Sequence, residues 1–333
     1  MPLTLKRTNS VSIAGNNFQF VNRNNSTVVL PGTQKAIFGY GYVGSNPGIS
    51  ITNLVSNTGV VANDTTGVGT ARYALAASGY GTDKAIFGYG YTTANVSMTN
   101  LVSNIGVVAT DTTGVGTARH DLASAGYGSD KAIFGYGYTT GAVSMTNLVS
   151  NVGVVATDTT GVGTARNGLA AAGYGSDKSI FGYGSAASGI SAITNKVSNT
   201  GIVATDTTGV GTSRQSLAAT GYGSDKAIFG YGTTGTVTAI TNLVSNTGVV
   251  ATDTAGVGTA RSRLASAGYG SDKAIFGYGF TTTYVSMINL VSNTGIVASD
   301  TTGVGTSRAN LAAAGYSSSS PASSTMSFKK VFA

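Results

Sequence analysis

The chain lacks cysteine, tryptophan and glutamate altogether, so every one of its twelve acidic residues is an aspartate. Without cysteine there is no disulfide framework and no thiolate metal site, and stability has to come from packing. Without glutamate the Glu–Lys surfaces of ordinary helices cannot be built, which argues against a helical protein. Charged residues make up only 9% of the chain and proline only 4 of 333 residues, while 41% are apolar, which is too apolar for a disordered chain. No apolar run approaches the ~18–20 residues of a membrane span. Residues 1–15 hold Lys6 and Arg7 but no apolar stretch of the kind a secretory signal needs, so no signal peptide is expected. There is a single histidine.

What the chain has is a repeat. Lys-Ala-Ile-Phe-Gly-Tyr-Gly begins at Lys35, Lys84, Lys131, Lys178, Lys226 and Lys273, with Ser179 replacing Ala once, at spacings of 49, 47, 47, 48 and 47 residues. Each copy is followed by a block such as Thr99-Asn100-Leu101-Val102-Ser103-Asn104 and then by one such as Asp111-Thr112-Thr113-Gly114-Val115-Gly116-Thr117-Ala118-Arg119. A fixed period of this size marks a propeller, solenoid or array. Glycine, 49 of 333 residues, together with abundant Thr, Ser and Asn, suits short strands joined by tight turns.

Each unit reads as four strands: Leu75–Tyr80, Lys84–Tyr89, Val96–Val102 and Val107–Thr110. The first is built of small residues, as a crowded central axis requires. Strict alternation in the second places Ala85, Phe87 and Tyr89 on one face, and Ile86, Gly88 and Gly90 on the other. Large residues set against glycine suit a sheet squeezed between two neighbours. Four strands in about 47 residues is the size of a propeller blade. The first unit lacks a first strand, and the array ends with a spare one near residues 308–316. The expected fold is therefore all-β, a six-bladed β-propeller of four-stranded antiparallel blades, closed by pairing the C-terminal strand with the first unit; a seventh blade built from residues 8–34 and the tail is the alternative. Residues 1–34 read as an extended N-terminal arm, 35–316 as the propeller, and 317–333 as a Ser-rich linker and C-terminal docking peptide.

An Arg, a small apolar strand, a short turn and an apolar strand ending in glycines, as in Arg119, Leu122–Tyr127 and Ala132–Gly137, resemble the kelch-type propeller repeat. Gly-Tyr-Gly stands where kelch repeats have adjacent glycines, and their later Tyr and Trp are missing. The near-identical units are also similar to repeat arrays in bacteriophage virion and tail proteins. That resemblance implies localisation in a virion, assembly with other virion or tail subunits through the terminal arms, and contact with a host-surface glycan or protein.

The net charge of +7 invites a nucleic-acid reading, but its distribution does not support one. Lys6, Arg7, Arg23, Lys329 and Lys330 lie outside the array, and within it recurrent cations nearly balance recurrent aspartates. Neither nucleic acid nor membrane insertion is expected. Catalysis needs one asymmetric constellation. His120 sits in a slot that other units fill with Tyr73, Asn167, Gln215, Ser262 and Ala309, which reads as a surface residue. The recurrent Asp64, Asp111, Asp158, Asp206, Asp253 and Asp300 read as caps of their own turns or as partners of the recurrent arginines between units. Calcium is a weaker alternative, since a lone Asp makes a poor cage. No enzyme activity, metal or cofactor is expected.

Two segments differ from unit to unit: the loop after the second strand and the pair of residues after each Arg. In an antiparallel blade both belong to one rim, while the Asp-Lys and Ser-Asn-x-Gly turns form a uniform opposite rim. Loops on a rigid scaffold are where binding usually sits; drift of unselected loops is the alternative. The candidate binding residues are Tyr42, Tyr73, Tyr91, Asn95, His120, Asp121, Tyr138, Phe280 and Tyr284. The expected function is a non-enzymatic structural and recognition protein of a phage virion or tail appendage. The alternative is a soluble multivalent lectin with one sugar site per blade.

Overall fold

The computed structural model describes residues 10–14, 17–21, 27–28 and 34–317, and all its regular elements are strands. The chain divides into two compact units, Met1–Gly32 and Thr33–Ala333. In the first, Ser10–Ala14, Asn17–Val21 and Thr27–Val28 pair as a three-stranded antiparallel sheet of their own. These strands are strand-forming pieces of the expected N-terminal arm, and by pairing they satisfy one another's backbone groups. Of the expected linker and docking peptide at 317–333, Ser317 ends the strand Ala312–Ser317, and residues 318–333 lie outside the described residues.

The described residues of the second unit form six repeated three-stranded antiparallel sheets and one two-stranded hairpin. One is Ala76–Tyr80, Lys84–Gly88 and Thr99–Val102, with Lys84–Gly88 in the middle. Four more follow, with middle strands Lys131–Gly135, Lys178–Gly182, Lys226–Gly230 and Lys273–Phe280. The remaining sheet joins both ends of the array. Ala312–Ser317 pairs with Gln34–Gly41, which pairs with Ile49–Val55. Its register is that of the others: Ala314 faces Ile37 as Ser78 faces Ile86.

The expected fourth strand is not a regular strand. It touches the third only at isolated bridges, such as Val102 with Val108 and Thr99 with Thr112. These partners are three residues apart on one side and four on the other, so one extra residue breaks the ladder. A side chain fills the gap: Asn100 Nδ2 donates to the Ala109 carbonyl at 3.0 Å and to Asp111 Oδ1 at 2.9 Å.

Adjacent sheets pack through a knob and a hollow. A Cβ on Gly88 would lie 2.7 Å from Phe134 Cζ of the next sheet, and one on Gly277 would lie 2.7 Å from Phe38 Cζ. Only glycine leaves room for the ring. The tyrosine after this glycine departs from strict alternation. Tyr89 has φ 63°, in the left-handed region. The backbone turn swings its ring off the face of Phe87 and onto Phe134 of the following sheet, with centroids 5.2 Å apart. The core is accordingly six apolar clusters, each shared by two neighbouring sheets.

The recurrent arginines are wholly buried at these joints. Arg72 Nε donates to the Tyr89 carbonyl at 2.9 Å, Nη1 to the Thr70 carbonyl at 3.1 Å and Nη2 to Asn100 Oδ1 at 2.6 Å. Its guanidinium lies 4.3 Å from the ring centre of Tyr40 in the preceding sheet. A buried cation is tolerable when its donors are met in this way; Arg166 keeps the two Nη bonds, while its Nε has no partner. Arg308 repeats the pattern across the chain ends, donating to the Tyr40 carbonyl and Asn53 and lying 4.2 Å from Tyr278.

The recurrent aspartates do not cap their own turns. Asp111 accepts from the amide of Thr70 at 3.0 Å and from its hydroxyl at 2.6 Å, clasping the segment that enters its own sheet. It stands 3.8 Å from Arg72 Nη1. Asp64 clasps Thr306 in the same way. The first strands line a cavity of about 350 Å³ with residues such as Ser78, Ala125, Ala172 and Ala267. Small residues are needed there because the strands crowd: a Cβ on Gly79 would lie 3.1 Å from the Gly315 carbonyl.

Candidate functional site

The two variable segments of each unit meet. Tyr73 bridges Tyr91, His120 bridges Tyr138, Asn167 bridges Ser185, Gln215 bridges Thr233, Ser262 bridges Phe280 and Ala309 bridges Tyr42. Backbone bonds hold each bridge, as in the Tyr91 amide to the Tyr73 carbonyl at 2.8 Å. Side-chain identity is therefore free to change from unit to unit. The loop tips vary too: Ser185–Ala186 and Gly189–Ile190 form a two-stranded hairpin of their own.

The residues singled out from the sequence come together. Tyr42 packs on Tyr73 with ring centroids 4.7 Å apart, and Tyr73 on Tyr91 at 5.6 Å. Tyr91 meets His120 at 5.3 Å, and His120 meets Tyr138 at 5.4 Å. In the other direction Tyr42 meets Tyr284 at 6.0 Å, and Tyr284 meets Phe280 at 5.4 Å. The rings form one continuous arc over four neighbouring sheets, including the sheet built from both ends of the array. The two remaining sheets place Asn167, Ser185, Gln215 and Thr233 in the same slots. The rings are half-buried, and Tyr138 is 36% exposed.

Asn95 ties the arc down. Its side-chain oxygen lies 2.6 Å from His120 Nδ1, and its Nδ2 donates to the Thr139 carbonyl at 3.3 Å. The amide oxygen can only accept, so His120 Nδ1 carries a proton. Nε2 is left facing Asp121 Oδ2 at 3.7 Å.

Asp121 belongs to a second feature of this rim, six residues that follow the recurrent arginines by two. Ala74, Asp121, Gly168, Ser216, Arg263 and Asn310 all have φ between 51° and 60°. Each amide donates to the carbonyl of the residue before it in that order, at 2.7–2.9 Å, and the Ala74 amide donates to Asn310. The left-handed backbone is costly for a side chain such as alanine, and this set of bonds holds it in place. Asp121 keeps 36% of its side chain open. Burial of the rest raises its pKa, against the opposing charges of His120 and Arg263. Arg263 reaches the end of the aromatic arc, 5.9 Å from the Phe280 ring centre.

Arg263 and Asn310 were missed as site residues from the sequence. The repeat already put them in the slot of Asp121, but nothing in the residue types signals a left-handed turn. Among the described residues, no group of three or more His or Asp side chains is placed to hold a metal ion. No described helix is long and apolar enough to cross a membrane. The recurrent carboxylates are engaged structurally. Burial would raise the pKa of Asp111, but hydrogen bonds from Thr70 and Asn100 and the charge of Arg72 outweigh it and hold the pKa below the ordinary value. No protein-family model matches the chain, and a search of curated proteins finds no match.

Proposed function

We propose that residues 35–316 form a closed six-bladed propeller with kelch-like blades, and that the protein is a non-enzymatic recognition protein whose variable rim is its binding face. Closure is supported by links that run from each sheet to the next and pass through the sheet made from both chain ends. The Phe–Gly joints, the arginines, the aspartate clasps and the axial amides all follow that path. Recognition is supported by one observation above all. Every candidate residue on the variable rim joins one aromatic and polar patch that breaks the sixfold repetition. Half-exposed aromatics with a polar tip are the side chains that interfaces favour.

The setting this reading fits best is a virion or tail appendage. There the segments flanking the array join neighbouring subunits and the rim faces a host surface. The test replaces Tyr91, Tyr138 and Phe280 with threonine, the residue that Thr233 places in the same slot. Adhesion of labelled protein to a panel of bacterial envelopes should fall while the fold persists. Removing residues 318–333 should leave adhesion intact and abolish incorporation into particles. Adhesion unchanged by the three substitutions would overturn the rim as the binding face.

A further inference from the structure

The geometry points to one extended saccharide site on the variable rim: a single oligosaccharide chain lying along the aromatic arc, not one sugar bound per unit. This inference rests on the rim being the recognition face and names what the face takes. Three observations carry it.

The first is continuity. The rings follow one another at 4.7–6.0 Å between centroids, without a gap where one sheet gives way to the next. The rings are tilted 50–77° to one another, and their spacing matches the advance of successive pyranose rings, whose apolar C–H groups pack against aromatic rings. Isolated sites would instead show the same constellation in every unit, and two units carry no ring in these slots.

The second is the polar company. The axial residues Asp121, Arg263 and Asn310 and the loop residue Asn95 stand on the same rim. Carboxylate, guanidinium and amide groups supply both donors and acceptors, which is what reading sugar hydroxyls requires. A purely apolar partner would strip water from the exposed Arg263 and the open part of Asp121 at a cost.

The third is charge. Asp121 and Arg263 offset one another, and the rim shows no run of one sign. A nucleic-acid strand, which also stacks on aromatics, calls for a cationic track beside the rings, and none is present among the described residues. The saccharide favoured is therefore a neutral chain.

The test is calorimetric titration of the full chain with neutral homo-oligosaccharide series, from monosaccharide to hexasaccharide, in β-1,4 and α-1,4 linkage. Affinity should rise with chain length, with one chain bound per protein. Tyr91→Thr and Tyr42→Thr should each weaken binding about tenfold, the loss of one well-packed anchor. Thr233→Ala, on the ringless side, should leave it unchanged. Monosaccharide binding at several equal sites, unaffected by Tyr91→Thr, would overturn the extended site. So would titrations without heat for every oligosaccharide, accompanied by envelope adhesion that survives periodate and is lost on protease treatment of the envelopes. That result would leave the recognition rim standing with a protein target. Loss of envelope adhesion in all forms would remove the recognition reading itself.

Discussion

The two rims of the array are built on the same strands and obey different rules. On the uniform rim backbone and side chains both repeat. Lys84 pairs with Asp83 at 2.8 Å, four further units pair alike at 2.6–2.8 Å, and the Gly81 amide donates to Asp130 of the next unit. On the variable rim the backbone repeats just as closely, through the bridges and the amides from Ala74 to Asn310, but the side chains change from unit to unit. A scaffold held by backbone bonds and by buried arginines leaves its surface side chains free. The variable rim is where that freedom is used.

Several changes would break or sharpen this contrast. The largest effect belongs to the buried joints. Arg119→Ala leaves the Tyr136 carbonyl and the Asn147 side chain without their donor and empties the stack on Tyr89. It should cost about 3–5 kcal/mol in urea unfolding, whereas Tyr138→Ala on the variable rim should cost under about 1 kcal/mol. Equal losses would erase the distinction between scaffold and face.

Next comes Gly88→Ala, whose new methyl would strike Phe134 at 2.7 Å; overpacking of this kind costs about 1–3 kcal/mol. A substitution at Gly141, which has nothing within 4 Å, should be nearly silent.

Acid should act through the aspartate clasps. Their folded pKa values lie below the unfolded value, so their contribution is present above about pH 4 and is lost as pH falls through the lower folded values. Melting temperatures measured downward from neutral pH should hold until about pH 4 and then decline, and Asp111→Asn should flatten the decline. A melting temperature that rises on acidification would contradict the clasp.

The smallest effect has the opposite sign. Ser179 is wholly buried and its hydroxyl has no hydrogen-bond partner. Five other units carry alanine there, and Ser179→Ala should stabilise the protein by about 1 kcal/mol.

Much of this contrast was legible in the sequence, because the repeat supplies six readings of one unit. The small first strand, the glycine opposite Phe87, the pairing of a C-terminal strand with the first unit (expected near 308–316, found at 312–317) and the shared rim of Tyr73 and Tyr91 all follow from period and alternation. The departures have local causes. The fourth strand failed because Asn100 takes the place of the ladder, and a side chain's choice between water and a neighbouring carbonyl leaves no trace in periodicity. Tyr89 turned to the other face because its φ is positive, which the preference of glycine for such positions conceals when a tyrosine holds one. Of the two readings of Asp111, the pairing with a recurrent arginine holds, with Arg72 at 3.8 Å, while the cap fails because its hydrogen-bond partner Thr70 stands 41 residues earlier. The rim of the aromatic arc was readable but its ring-to-ring contacts were not, since a contact such as Tyr284 on Tyr42 at 6.0 Å depends on side-chain geometry that the repeat period leaves open.

Everything on the variable rim depends on the sheets returning upon themselves, and native-state hydrogen exchange tests that directly. The amides of Ala74, Asp121, Gly168, Ser216, Arg263 and Asn310 are chemically dissimilar but equivalently bonded, at 2.7–2.9 Å. In a closed ring Ala74 and Asn310, which bond across the junction of the chain ends, exchange as slowly as Gly168 in the middle of the array, after correction for intrinsic rates. Exchange at Ala74 and Asn310 that is orders of magnitude faster than at Gly168 would mean an open stack with a fraying end.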